Sequence, residues 1–147
     1  MIRIRKMTPE DYSSVYGLWT RCAGMGLNDL DDSEEGIRRY LERNPATCFV
    51  AEEDGQIAGV ILSGHDGRRG YIYHTAVAPA WRGQGIGGQL AEAALGALRD
   101  AGIAKVALVA FSRNEAGNAF WERMGFTARD DLIYRNRTLV EMTRIDT

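Results

Sequence analysis

The sequence is poor in the residues that would mark it as a scaffold, a metal protein or a membrane protein. It has only two cysteines, Cys22 and Cys48. Two thiols do not staple a chain of 147 residues into a disulfide framework, and no Cys/His grouping has zinc spacing. Both are expected to be free thiols, and no metal is expected. No apolar run reaches the ~20 residues that cross a bilayer. The stretch Met1 to Lys6 alternates apolar with basic and has no signal-peptide hydrophobic region, so a cytoplasmic protein with no membrane partner is expected. An excess of one charge is missing too. The formal net charge is -2 and no lysine or arginine run forms a nucleic-acid stripe, so no nucleic-acid partner is expected. Linkers, repeats and low-complexity tracts are absent, leaving one domain over residues 1–147.

Periodicity gives the elements. Ile2 and Ile4 alternate with Arg3 and Arg5 as a half-buried strand. Thr8-Pro9-Glu10-Asp11 opens a helix with Val15, Leu18, Trp19 and Cys22 along one face. Gly24 and Gly26 end it. After Asn28-Asp29-Leu30-Asp31-Asp32, Ser33 opens a second helix through Arg43, with Pro45 just beyond. Cys48–Glu52, Ile57–Ser63 and Tyr71–Val77 read as three successive antiparallel strands, the first two joined by the hairpin signal Asp54-Gly55. A helical stripe follows from Ile86 through Leu98, and Gly102 stops it. The nearly continuous apolar run Ile103–Phe111 predicts a central strand. Glu115–Met124 predicts a helix. Phe126–Tyr134 and Thr138–Arg144 predict a closing strand pair, whose edges leave room for a homodimer.

What the chain has in abundance is glycine, 17 residues, and they cluster in Arg82-Gly83-Gln84-Gly85-Ile86-Gly87-Gly88 where a strand feeds a helix. Each helix-interior glycine costs roughly 0.8–1.0 kcal/mol relative to alanine. The cluster therefore needs a reason. Without Cβ atoms, backbone N–H groups approach a diphosphate closely, and the helix dipole favours its charge. Gly83-x-Gly85-x-x-Gly88 matches the dinucleotide fingerprint literally, but Ala78-Pro79-Ala80-Trp81-Arg82 intervenes before the turn. The following strand also ends in Val109-Ala110-Phe111, without the acid a ribose needs, and no Gly-Lys-Ser/Thr follows.

Val77-Ala78-Pro79-Ala80-Trp81-Arg82-Gly83-Gln84-Gly85-Ile86-Gly87 resembles the coenzyme motif of the GNAT superfamily of N-acetyltransferases, in which Arg/Gln-x-x-Gly-x-Gly/Ala follows a strand ending in Val-x-Pro. A second motif of that family, Asn, an aromatic pair, then Gly-Phe, is matched by Asn114, Phe120-Trp121 and Gly125-Phe126. The element order resembles the family along nearly the whole chain. The resemblance implies an α/β fold: a mixed, mostly antiparallel sheet of about seven strands, with a central parallel splayed pair and about four flanking helices. It implies acetyl-CoA as co-substrate, with the pantetheine arm in the gap between Tyr71–Val77 and Ile103–Phe111. The backbone of Ala76, Val77 and Ala78 would pair with the arm. Arg82, Gly83, Gln84, Gly85, Ile86, Gly87 and Gly88 would hold the pyrophosphate, and Asn114 and Trp121 would lie against the coenzyme.

The reaction implied is direct attack of a primary amine, of a small molecule or a peptide, on the thioester. Cys22 and Cys48 are not expected as nucleophiles. An alkyl amine near pKa 10 must first lose a proton. The family often places a glutamate where this sequence has Tyr71, and a tyrosine acid where it has Trp121, which has no titratable proton. Replacements are sought in Tyr71, Tyr73 and His74, with Tyr134 a further candidate acid; a water chain is the alternative. Strand alternation puts Tyr73 with Tyr71 on one face and His74 on the other. The acids Asp29, Asp31, Asp32, Glu34 and Glu35 suit a cationic acceptor, or else merely cap the second helix. A non-catalytic acyl-CoA sensor and a nucleotide-binding domain stand as competing readings.

Overall fold

The computed structural model describes residues 1–145. The opening alternation gives strand β1, Arg3–Lys6. Asp11 then turns the chain: its carboxylate accepts the Thr8 N–H at 2.9 Å and the Thr8 hydroxyl at 3.3 Å. Pro9–Asp11 makes a single 3-10 turn ahead of helix α1, Tyr12–Thr20. A two-residue strand β2, Leu27–Asn28, precedes helix α2, Glu34–Arg43, capped by Ser33, whose Oγ accepts the Gly36 N–H at 3.0 Å. Strands β3, Phe49–Glu53, and β4, Gln56–His65, join through Asp54 and Gly55. Their φ of 50° and 79° are the left-handed pair that this hairpin turn requires. Strand β5 is Gly70–Val77, helix α3 Ile86–Asp100, strand β6 Val106–Leu108, helix α4 Glu115–Arg123 and strand β7 Arg144–Ile145.

The main sheet runs β1-β3-β4-β5-β6, antiparallel except for the last pair. Along β4, Val60 and Leu62 pack with Val15, Leu18 and Trp19 of α1 and Ile37 and Leu41 of α2. Ile61, between them, packs with Ile86, Leu90 and Ala94 of α3, as does Ala58, the extra residue of a bulge against β3. The sheet is thus covered on both faces. Burying each large apolar side chain stabilises the fold by roughly 1.5–3 kcal/mol. No helix among the described residues is long and apolar enough to cross a membrane.

The expected splayed parallel pair is present. Register joins Gly70 to Val106, Tyr71 to Ala107 and Ile72 to Leu108, and there it stops, while β5 runs on to Val77. Two features differ from expectation. The apolar run Ile103–Phe111 forms a strand only over Val106–Leu108, and among the described residues it is the edge of the sheet rather than its centre. The strands expected at Phe126–Tyr134 and Thr138–Arg144 do not form; only Arg144–Ile145 pairs, antiparallel to β2. Leu132, Ile133, Leu139 and Val140 are all exposed, so this segment buries little apolar surface to offset the entropy of ordering it, which leaves β6 at the edge.

Candidate active site

A bulge in β5 builds the site. Val60 of β4 faces Ala76 and Leu62 faces Tyr73, so Ile61 alone opposes both His74 and Thr75. The extra residue breaks the strict alternation assumed from sequence. Before the bulge, Tyr73 lies on the α2 side and Ile72 on the α3 side; after it, Ala76 packs with the α1 cluster and Val77 with the α3 cluster. His74 carries the kink, with φ 40°. A non-glycine residue held there costs on the order of 1–3 kcal/mol, a strain the surroundings must offset. Two contacts do so. Trp19 Nε1 donates to the His74 carbonyl at 3.1 Å, and His74 Nε2 meets Asp32 Oδ1 at 2.8 Å. The Asp32 side chain is only 4% exposed and that of His74 16%. Asp32 is itself fixed: its Oδ2 accepts the Asn28 N–H at 2.9 Å, and its backbone carbonyl accepts the Tyr12 hydroxyl at 2.7 Å.

Asp32 and Trp19 were not legible as site residues. Asp32 read as one of the acids that suit a cationic acceptor or cap the second helix, and Trp19 as one of the residues along a helix face. Trp19 is wholly buried, but its indole N–H is committed to the bulge. Of the loop's other acids, Asp29 Oδ1 accepts the Thr143 N–H at 2.6 Å, tying the loop to the C-terminal segment. Asp31 stays exposed and lines the cleft. The loop is therefore largely a holder for His74.

Tyr71 and Tyr73 share a face as expected, their ring centroids 4.6 Å apart. Burial, then the neighbouring Tyr73 and Tyr134, push the Tyr71 hydroxyl above the usual phenol range. Burial, then Tyr134 and Asp31, do the same for Tyr73. Both therefore keep their protons at neutral pH, as hydroxyls able to donate a hydrogen bond. Cys22 and Cys48 are both buried and unpaired with each other; burial pushes the Cys48 thiol up to about 12. The Cys48 environment thus works against the thiolate a nucleophile needs.

Backbone groups alternate edges along a strand. The Ala78 N–H donates to Ala58 on β4, at 2.8 Å, so the Val77 amide and carbonyl face the gap beside β6. Arg82 Nε donates to that Val77 carbonyl at 3.0 Å, and its guanidinium lies 3.5 Å from Cys22 Sγ. Arg82 is thus folded back onto the strand end. Gly83 and Gly85 both take φ 79°, which side-chain residues rarely adopt. The first intrahelical bond of α3 runs from Gln89 N–H to Gly85 O, so the amides of Ile86, Gly87 and Gly88 are the helix's free donors. The Ile86 side chain points into the core, 2% exposed, and offers only its backbone. Gln84 is exposed. The last two glycines differ. A Cβ on Gly87 would sit 3.3 Å from Phe120, so packing explains it. A Cβ on Gly88 would meet no protein atom within 4 Å. Its cost to the helix has no explanation inside the protein, and the open space before it fits a ligand diphosphate.

Across the gap, Asn114 caps α4, its Oδ1 accepting the Gly117 N–H at 3.0 Å. Trp121 is half-buried between Phe120 and Phe126, with centroids 4.8 and 5.3 Å away. Both line the same open cleft as His74, Tyr73 and Gly88.

The family model described as the acetyltransferase (GNAT) family matches residues 12–126. Acetyltransferase SG1711 of Sodalis glossinidius is 31% identical over 95% of this chain and 97% of its own. Acetyltransferase plu1384 of Photorhabdus laumondii is 32% identical over 95% and 98%. Among solved structures, the PaiA N-acetyltransferase of Thermoplasma acidophilum, in complex with coenzyme A, superposes with a TM-score of 0.78 at 20% identity, over 88% of this chain and 92% of that one. The ribosomal-protein-S18-alanine N-acetyltransferase of Escherichia coli does so with a TM-score of 0.71 at 23% identity, over 85% and 77%. With its family match across most of the chain and relatives above 30% identity over nearly their whole length, the chain belongs to the GNAT family of acetyltransferases.

Proposed function

We propose that the protein moves an acetyl group from acetyl-CoA directly to a primary amine of a small molecule or peptide, with cationic acceptors preferred. The observation that carries this is the row of free amides at Ile86–Gly88, with open space at Gly88, set beside the gap between β5 and β6. The amides of Gly83–Gly88 hold the pyrophosphate, and Ala76–Ala78 flank the pantetheine arm. Because the Val77 carbonyl already accepts from Arg82, Val77 contributes its N–H. That N–H stabilises charge developing on the thioester oxygen, a role worth about 2.7–4 kcal/mol when such a donor is lost. Asn114 and Trp121 close the coenzyme side.

The thioester supplies an acyl carbon open to attack and a thiolate that leaves. His74 takes the proton of the acceptor ammonium. With Nε2–H directed at Asp32, Nδ1 is the basic nitrogen. The Tyr73 hydroxyl orients the acceptor, with Tyr71 beside it. As the new C–N bond forms, the C–S bond breaks; the second proton of the amine passes to solvent, and the departing thiolate takes one from solvent. Reduced, buried thiols suit the cytoplasm. A homodimer would form through the exposed apolar C-terminal segment.

Calorimetric titration with acetyl-CoA, beside NAD and ATP, tests the reading. Micromolar, stoichiometric binding of acetyl-CoA alone, followed by transfer to an amine, is the expected result. Binding without transfer to any amine of a broad panel would select the sensor reading, which Tyr71 and Trp121 in the usual glutamate and tyrosine positions favour. Binding of NAD alone would end both.

A further inference from the structure

The cleft holds an aromatic corner whose ring faces have no part in the acetyl-transfer reading, which uses only the Tyr73 hydroxyl. Tyr40 of α2 and Tyr73 of β5 stand with ring planes at 88° and centroids 6.0 Å apart, and Tyr71 stacks behind Tyr73. Gly64 makes the corner possible: a Cβ there would collide with the Tyr40 hydroxyl and the Asn44 amide. Asn44 is fixed in turn, its Oδ1 accepting the His65 N–H at 3.0 Å. The Tyr40 ring is thus held in place, while Tyr73 remains 43% exposed. Tyr134 and the exposed carboxylate of Asp31 stand close enough to influence the Tyr73 hydroxyl, and Tyr40, Tyr73, Tyr134 and Asp31 all line the cleft. Ring faces at right angles with an acid at the rim attract an ammonium group through the ring quadrupoles. The Tyr73 ring lies 6.3 Å from that of His74, so the corner sits one ring away from the proton acceptor.

We propose that Tyr40, Tyr73 and Tyr134, with Asp31, seat a second, non-reacting ammonium group of the acceptor, making diamines and longer polycations the preferred substrates. The inference rests on the acetyl-transfer reading for the identity of the reacting amine, but the ammonium seat stands on its own geometry. Arg39 and Arg43 line the same cleft, so an anionic acceptor is the competing outcome.

Choline and its uncharged carbon isostere 3,3-dimethyl-1-butanol are the probes, titrated into the whole chain and followed by NMR shifts. The wild type should bind choline about tenfold more tightly, within the range cation–π contacts produce. Tyr73→Phe keeps the ring and should keep that ratio within about twofold. Tyr73→Leu should bring it close to one. Wild-type-like acetyl-CoA binding by both variants shows that they fold, and it reports the coenzyme site separately. If acetyl-CoA fails to bind while the choline ratio persists, the coenzyme reading falls and the ammonium seat stands. Equal binding of the two probes by the wild type would overturn the proposal. So would an unchanged ratio in Tyr73→Leu, a ratio lost in Tyr73→Phe, or tighter binding of glutarate than of choline.

Discussion

Asp32→Asn puts the His74–Asp32 pair to a direct test. The substitution keeps shape and volume at a side chain only 4% exposed, so no cavity opens. The new amide has one oxygen, and the Asn28 N–H, 2.9 Å from Asp32 Oδ2, claims it. The NH₂ group then faces His74 Nε2, 2.8 Å away in the native pair, and turns that nitrogen from donor into acceptor. The histidine proton moves to Nδ1, the nitrogen needed as base. A misplaced proton on a catalytic imidazole costs on the order of 100- to 10,000-fold in turnover. The structural cost is smaller. One charge-assisted bond, worth about 1.5–3 kcal/mol, gives way to a neutral one worth about 1 kcal/mol. The net loss of about 0.5–2 kcal/mol lowers Tm by roughly 1–8 °C for a chain of this size. Thiol release from acetyl-CoA, followed with a chromogenic disulfide at several pH values, is a suitable assay because both chain thiols are buried. Expected are a turnover at least 100-fold down, unchanged acetyl-CoA affinity and a small drop in Tm. Turnover within threefold of wild type at every pH would refute a role for the pair in catalysis.

Gly88→Ala should separate stability from binding: no protein atom lies within 4 Å of the new Cβ, so the helix gains about 0.5–1 kcal/mol, while acetyl-CoA affinity falls about tenfold. Raised Tm with unchanged affinity, read by thermal shift and calorimetry, would remove Gly88 from the coenzyme site. At the far edge of the sheet, burial opposes ionisation of Asp11, but the bidentate Arg5 guanidinium, at 2.8 and 2.9 Å, and the Thr8 N–H hold its carboxyl below the usual range. Arg5, then Arg3, do the same for Glu52. Both carboxyls are depressed in the folded state, so their stabilisation is complete above the unfolded values near pH 4 and is lost as pH falls through the folded ones. Tm should therefore drop below about pH 4, and Arg5→Met should be less stable at pH 7 and show a shallower acid dependence; parallel melting curves for the two proteins would contradict this.

The helices were legible because their signals are local. Ser33 caps α2, Gly102 and Gly125 stop α3 and α4 with φ of 85° and 95°, and Asp54-Gly55 turns its hairpin. The glycine loop was legible for the same reason. The C-terminal strands were misread because apolar residues such as Leu132, Ile133, Leu139 and Val140 supply what a strand can use, not a partner edge that buries it. The catalytic side was least legible. His74 meets Asp32 across 42 positions, and Trp19 meets His74 across 55. Both contacts depend on a kink that histidine's side chain does nothing to announce. No spacing rule reaches across such distances when the linking feature is one φ angle.

The kink has a consequence for how the enzyme can change its diet. Upstream of it, the odd-numbered residues Tyr71 and Tyr73 share one face; downstream, the even-numbered Ala76 and Ala78 occupy the α1 side, and the Val77 backbone faces the gap beside β6. One strand thus carries two independent alphabets. Under the proposed acetyl transfer, side chains spell the acceptor on one half, and main-chain atoms indifferent to side-chain identity grip the donor on the other. Substitutions at positions 71 and 73 can retune what is acetylated without disturbing what does the acetylating. Inserting or deleting a single residue between Tyr73 and Ala76 would scramble both at once.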